Sequence, residues 1–133
     1  MAARILVVED NAANQQLMAY LLKAFGYTVR TAADGEEAVA AVARDAPDLI
    51  LMDLHLPVMD GYQATEKIRA LLQPKTIPIV AVTAFAMVGD RERILARGFD
   101  GYIPKPITPE SFVHTVESYM SEPLLAGATK AAP

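Results

Sequence analysis

A chain of 133 residues, 53% hydrophobic and 21% charged, can bury one core and is too short for a second domain of ordinary size. Twelve Lys and Arg against sixteen Asp and Glu leave a formal charge of −4, which argues against nucleic acid or an anionic membrane surface as a partner. The absence of Cys removes disulfides, thiolate catalysis and Cys-based zinc sites together. No basic-then-apolar leader follows Met1, and no apolar run approaches ~20 residues, so a soluble, cytoplasmic protein is expected.

In chain order, Arg4–Val8 is a short apolar run closed by Glu9, Asp10 and Asn11, the pattern of a strand buried on both faces. From Asn14 to Phe25, Leu17, Met18, Leu21, Leu22 and Phe25 keep helical spacing, and Gly26 supplies a left-handed stop. Tyr27–Thr31 predicts a second strand, Asp34 and Gly35 a turn, and Ala38, Val39, Val42 and Ala43 a second helical stripe ending before Pro47. Leu49–Met52 is a further apolar run that ends on Asp53. Ala64, Ile68, Leu71 and Leu72 mark a helix halted by Pro74. Ile77–Val82 predicts a fourth strand ending on Thr83. Met87–Ala96 reads as a weaker helix, because Gly89 and Asp90 cost propensity near its start, and Gly98 closes it. Tyr102 and Ile103 form a short last strand. Thr108 as N-cap, Pro109 at the first helical position and Glu110 in the first turn open a final helix through Met120.

Strand and helix thus alternate through five units, and buried strands with short connections imply a parallel sheet covered on both faces. The domain is expected to span 1–121. Residues 122–133, mostly Ala, Pro, Gly, Thr and Lys, are expected to form a disordered tail.

Ligands of open parallel sheets gather at the carboxyl ends of the strands, where the strand order reverses. There this sequence places Glu9 and Asp10, Asp53, Thr83 and Lys105. Carboxylates crowded together repel one another unless a cation sits between them, and all-oxygen ligands suit a hard ion such as Mg²⁺, with Asp10 and Asp53 as direct ligands. Such an ion completes its shell with phosphate oxygens, and an aspartate can accept a phosphoryl group as an acyl phosphate. Asp53 is the candidate acceptor. Thr83 and Lys105 are placed to hydrogen-bond and neutralise phosphoryl oxygens.

Val7–Asn11, Asp48–Asp53, Leu56–Pro57 with Met59–Gly61, Val82–Ala84 and Gly101–Pro106 together resemble the receiver domain of bacterial two-component response regulators, over the whole chain apart from the tail. The run Val82–Met87 with Gly89 and Asp90 is closest to single-domain members, whereas Asn11, Asn14 and Gln15 also resemble receivers of hybrid kinases. The resemblance implies a flavodoxin-like (βα)₅ fold with strand order 2-1-3-4-5. It implies Asp53 as phospho-acceptor, Glu9 and Asp10 as the acid pair for Mg²⁺, and the backbone carbonyl of His55 as a further ligand. It also implies Thr83 and Tyr102 as the switch and a cis bond between Lys105 and Pro106. His55 and Phe85 are pocket-edge candidates for setting phosphate lifetime. Pro104 departs from the family pattern and removes a donor from a short strand, which an edge position tolerates.

Taken one at a time these residues are bland. Acid pairs are commonly solvated turns, a Thr at a strand end is a β-former, a lone Lys is a surface charge, and a strand Tyr usually just packs. His114 reads as structural, and Arg91, Arg93 and Arg97, interleaved with Asp90 and Glu92, as a solvated face. Their coincidence on one sheet edge is what carries the functional reading.

The expected protein is a phosphorylation-controlled switch without an output domain. A histidine kinase or phosphotransfer protein would dock near the first helix, with Asn14, Gln15 and Met18 as exposed specificity positions. The response would leave through the fourth helix, fifth strand and fifth helix toward a downstream protein target. A monomer or a phosphorylation-dependent dimer is expected. A phosphatase of the haloacid-dehalogenase kind fits less well, because the first strand ends in Glu-Asp rather than Asp-x-Asp and no cap domain is present. A degenerate receiver that only binds partners is the third reading, although every residue needed for phosphorylation is there. Neither glycine-rich nucleotide fingerprint occurs.

Overall fold

The computed structural model describes residues 3–73, 76–84 and 89–120. Among them run β1 (Arg4–Val8), α1 (Ala12–Ala24), β2 (Thr28–Ala32), α2 (Gly35–Arg44), β3 (Leu49–Asp53), α3 (Gly61–Leu72), β4 (Ile79–Thr83), α4 (Asp90–Ala96), β5 (Gly101–Pro104) and α5 (Pro109–Glu117). The strands pair in parallel in the order β2-β1-β3-β4-β5. This is the flavodoxin-like α/β fold. From β1 the chain first steps outward to β2 and then crosses back to β3, so the strand order reverses between the carboxyl ends of β1 and β3.

Strand alternation divides the core into two layers. Leu6, Val8, Ile50, Met52, Ile79 and Ala81 meet Ala38, Ala64, Ile68 and Ile94 on the side of α2, α3 and α4. Ile5, Val7, Leu49, Leu51, Val80 and Val82 meet Met18, Leu22, Phe112 and Val116 on the side of α1 and α5. Every residue of β3 and β4 is buried, as a central parallel strand between two helical layers requires. Edge strand β2 is half-exposed instead, with only Ala32 buried.

Several boundaries differ from the pattern reading, each for a local reason. α1 starts at Ala12 rather than Asn14, because Asn11 caps it, its Oδ1 accepting the Asn14 N–H at 2.9 Å. Gly35 is the first residue of α2 rather than a turn residue, since Asp34 caps that helix by accepting from the Glu37 N–H at 2.8 Å. β2 and β4 start later in the chain than predicted, at Thr28 and Ile79. α4 begins at Asp90, and the expected residues Met87 and Val88 lie outside the described residues. Thr108 occupies the N-cap of α5 but makes no side-chain cap bond, Pro109 having taken the first position. That helix ends at Glu117 instead of Met120. Gly26 and Gly98 close α1 and α4 at φ of 92° and 100°, the left-handed stops the sequence implies. Pro74, Phe85 and the segment 122–133 are outside the described residues.

Long-range polar ties complete the frame. Arg69 of α3 donates to the Gly98 carbonyl at 2.8 Å and pairs with Asp100 at 2.9 Å, whose Oδ2 also accepts the Ile79 N–H at 2.8 Å. Arg97 lies 4.6 Å over the Tyr62 ring and reaches Glu66 at 2.6 Å, so the carboxyl end of α4 is bound to α3. On the opposite layer the buried Tyr27 hydroxyl donates to Glu117 Oε2.

Candidate functional site

Glu9 and Asp10 follow β1, Asp53 ends β3, Thr83 ends β4 and Lys105 follows β5. Parallel strands in register therefore deliver all of them to one edge of the sheet, at the reversal point. Glu9, Asp10 and Asp53 each offer a carboxylate oxygen, and these oxygens lie within 4.8 Å of one another. Glu9 and Asp53 are 1% and 4% exposed, whereas Asp10 faces solvent. Thr83 is fully buried.

Lys105 binds the cluster together. Its Nζ lies 2.7 Å from Glu9 Oε1 and 3.0 Å from Asp53 Oδ2. Burial by itself would lower the Lys105 pKa, but the Glu9 and Asp53 carboxylates outweigh it and hold the ammonium above its ordinary value. Burial raises the Glu9 carboxyl, with Lys105 and the Asn11 N–H opposing the shift and Asp53 adding to it. The remaining Asp53 oxygen, Oδ1, accepts the His55 N–H at 2.9 Å. The Lys105–Pro106 peptide bond is cis, and the Lys105 N–H donates to the Thr83 carbonyl at 2.8 Å, which ties the lysine to the end of β4.

The loop after Asp53 is tightly built. Val58 has φ of 70° while the Met59 N–H reaches back to the Pro57 carbonyl at 2.7 Å, a three-residue γ-turn that a β-branched residue adopts under strain. Gly61 packs directly beneath the acceptor, where an added Cβ would stand 2.2 Å from the Asp53 carbonyl oxygen and 2.8 Å from Leu54 Cα. No side chain fits there.

The donor set suits a hard cation: it is all oxygen, and the buried Glu9 Oε1 has the Lys105 ammonium at 2.7 Å as its charge partner. Next to it is a cavity of about 220 Å³ lined by Glu9, Asn14, Met18, Val82, Ala84 and Lys105, among others. Tyr102 sits half-buried against the layer of α2, α3 and α4.

The chain matches the response regulator receiver domain model over residues 5–117. The chain belongs to the response regulator receiver family. Polar-differentiation response regulators DivK of Brucella ovis and Brucella abortus are 42% identical over 123 residues, covering 92% of this chain and 99% of those proteins. The solved receiver domain of the Pseudomonas aeruginosa sensor kinase PA1611, with a magnesium ion coordinated in its active-site cleft, aligns with a TM-score of 0.80 and 41% identity, covering 90% of this chain and 98% of that one. Vibrio cholerae chemotaxis protein CheY4 aligns with a TM-score of 0.84 and 32% identity over 90% of this chain and all of that one. A receiver of two-component signalling is a phosphorylation switch rather than a classical enzyme, and its partner class is the histidine kinase.

One expected surface position is not on the surface. Met18 is 1% exposed and packs with Leu22 against the sheet, because the inward stripe of α1 runs through Met18, Ala19 and Leu22. Leu17 and Tyr20, 36% and 71% exposed, face outward in its stead. Asn14 is exposed at the cavity rim, and Gln15 is half-buried with its amide engaged to the main chain. His55 is exposed, whereas Phe85 is not among the described residues. Tyr27–Glu117 and the Arg69 ties escaped the pattern reading, since polar partners 90 and 31 residues apart leave no periodic signal. Among the described residues no helix is long and apolar enough to cross a membrane.

Proposed function

We propose that Asp53 accepts a phosphoryl group from a phosphohistidine of a sensor kinase or a histidine phosphotransfer protein, in a Mg²⁺-dependent reaction. The observation that carries this reading is the trio of carboxylates within 4.8 Å at the switch point of the sheet, two of them, Glu9 and Asp53, bridged by one lysine. An Asp53 oxygen forms the new bond to phosphorus as the bond from phosphorus to the imidazole nitrogen breaks, and the neutral imidazole leaves with a proton from solvent.

Glu9, Asp10, Asp53 and the main-chain carbonyl of His55 are the residues that would hold Mg²⁺, which when bound neutralises charge on the transferring phosphoryl oxygens. Lys105 offsets the charge of a further oxygen, and the Thr83 hydroxyl donates a hydrogen bond to another. Engagement of Thr83 draws on the end of β4, and Tyr102 on neighbouring β5 follows. The altered face is that of α4, β5 and α5, which binds a downstream protein target in the cytoplasm. Its charge of −4 speaks against nucleic acid as that target. The protein acts as a monomer or as a phosphorylation-dependent dimer.

Intact mass after incubation with acetyl phosphate tests the assignment. A gain of one phosphoryl group that needs Mg²⁺, disappears in EDTA and is absent from Asp53→Asn is expected. Uptake by Asp53→Asn at the wild-type rate refutes it.

A further inference from the structure

β1 stops at Val8, where its pairing with β2 ends at Ala32. Glu9 and Asp10 therefore sit beyond the regular ladder, on a turn that must aim both carboxylates at Asp53. One backbone rung continues, the Glu9 N–H donating to the Ala32 carbonyl at 3.0 Å. The Glu9 side chain is steadied by the Asn11 N–H, which reaches its Oε2 at 3.1 Å. Among the described residues the Glu9 carbonyl has no strand partner of this kind. It accepts instead from Gln15 Nε2 at 3.0 Å, and the same amide nitrogen reaches the Ala32 carbonyl at 3.3 Å. Glu9 N–H, Ala32 carbonyl, Gln15 amide and Glu9 carbonyl thus close a ring joining β1, β2 and the first turns of α1. Gln15 is itself set in place, its N–H bonded to the Asn11 carbonyl at 2.9 Å.

The chemistry asks for this residue type. Two carbonyl oxygens need two donors from one direction, and a primary amide presents two hydrogens on one nitrogen. A carboxylate of the same shape would put oxygen against oxygen. An apolar side chain would leave the Glu9 carbonyl unpaired beside a crowded set of negative charges, with the peptide joining Glu9 to Asp10 free to turn. Since that peptide carries Asp10 and adjoins the innermost carboxylate, its orientation fixes the spacing of the acid trio.

We infer that Gln15 is a positioning residue for the cation site, acting on the peptide between Glu9 and Asp10 rather than on a docking partner. The inference rests on the proposed metal reading. Outer partners of this kind typically change metal affinity by about 10–100-fold.

The test is Mn²⁺ binding to the whole chain, followed by the electron paramagnetic resonance of free ion, for wild type, Asp53→Asn, Gln15→Met, Gln15→Glu and Arg69→Ala, with the urea midpoint of each. Gln15→Met keeps the length and loses the donors, while Arg69→Ala weakens the fold without touching the site. Expected are a Kd about tenfold weaker in Gln15→Met, weaker binding in Gln15→Glu, and a wild-type Kd in Arg69→Ala despite its lower midpoint. A Gln15→Met Kd within about twofold of wild type overturns the inference, and so does an equal loss in Arg69→Ala. Should Gln15→Met fail to fold, Gln15→Glu decides by the same criterion. If wild type and Asp53→Asn both fail to bind Mn²⁺, the metal reading falls first and the role of Gln15 with it.

Discussion

Replacing Lys105 by Met removes one ammonium and keeps most of the aliphatic stem, so its effect isolates the charge. At 2.7 Å from Glu9 Oε1 and 3.0 Å from Asp53 Oδ2, each contact carries about 6 kcal/mol of gross attraction at an effective dielectric of ~20. Desolvation of three ions cancels most of that. Truncation leaves two buried carboxylates facing each other, and the loss of one member of a buried ion pair costs about 3–5 kcal/mol. With the lysine side chain 17% exposed, the lower end applies, about 3 kcal/mol and roughly 10 °C in thermal midpoint. Urea unfolding in EDTA at about pH 7.5 measures it. The deficit depends on pH with a definite sign. Glu9 is already raised above its ordinary value of 4.5, and loss of the lysine raises it further. A folded-state value above the unfolded one means that the folded state binds the proton more tightly, so the deficit is full above the folded value and shrinks as pH falls toward and below it. Mg²⁺ supplies positive charge to the same oxygens and narrows the gap between variant and wild type. Equal stability of variant and wild type in EDTA near neutral pH, or a deficit that grows on acidification, refutes the reasoning.

Gly61→Ala is expected to cost about 2–3 kcal/mol, because its Cβ would stand 2.2 Å from the Asp53 carbonyl oxygen, and to slow acetyl phosphate uptake; unaltered uptake counts against Gly61 as a support of the acceptor. Tyr27→Phe should lose about 2 kcal/mol by stripping the buried Glu117 carboxylate of its donor, read by urea titration. Burial, then Glu117, raises the Tyr27 phenol above its ordinary 10.0, so this contribution is full below pH 10 and is lost as pH rises through the folded value, where variant and wild type converge. Thr83→Ala should still take up a phosphoryl group, while the phosphorylation-dependent shift of the Tyr102 resonances shrinks; an unchanged shift dissociates Thr83 from the switch.

The fold was legible because each central strand is an unbroken apolar run and α1, α2 and α3 carry apolar stripes at helical spacing; the acid, hydroxyl and lysine after those runs then fell on one edge by topology alone. Helix starts were less legible, since Asn11 and Asp34 act through single hydrogen bonds that no periodicity announces. Met18 was misplaced for a related reason. The sequence shows Leu17 and Met18 as equally apolar neighbours, and only the rotation of α1 on the sheet decides that Met18 turns inward and Leu17 out. The sequence marks Gln15 as an exposed position, whereas it is half-buried with its amide on the Glu9 and Ala32 carbonyls, main-chain partners that the sequence does not distinguish. The strained φ of Val58 had no signal, for a β-branched residue is among the last expected there.

Helices α1, α2 and α3 each open on a side chain, Asn11, Asp34 and Asp60, that accepts a first-turn N–H. Helix α4 opens on Gly89 at φ of 94° with no such bond and runs only seven residues, yet its far end is tied to α3 by Arg69 and Arg97. The two ends of one short helix therefore belong to different cooperative units. Amide exchange in its first turn is therefore expected to proceed through openings far smaller than global unfolding, and in its last turn with the protection of the sheet, which hydrogen exchange at Arg91 and Ala96 would check. A rearrangement that starts at the uncapped end draws on a local equilibrium of small free energy, and the β-sheet that holds Asp53 keeps its full stability throughout.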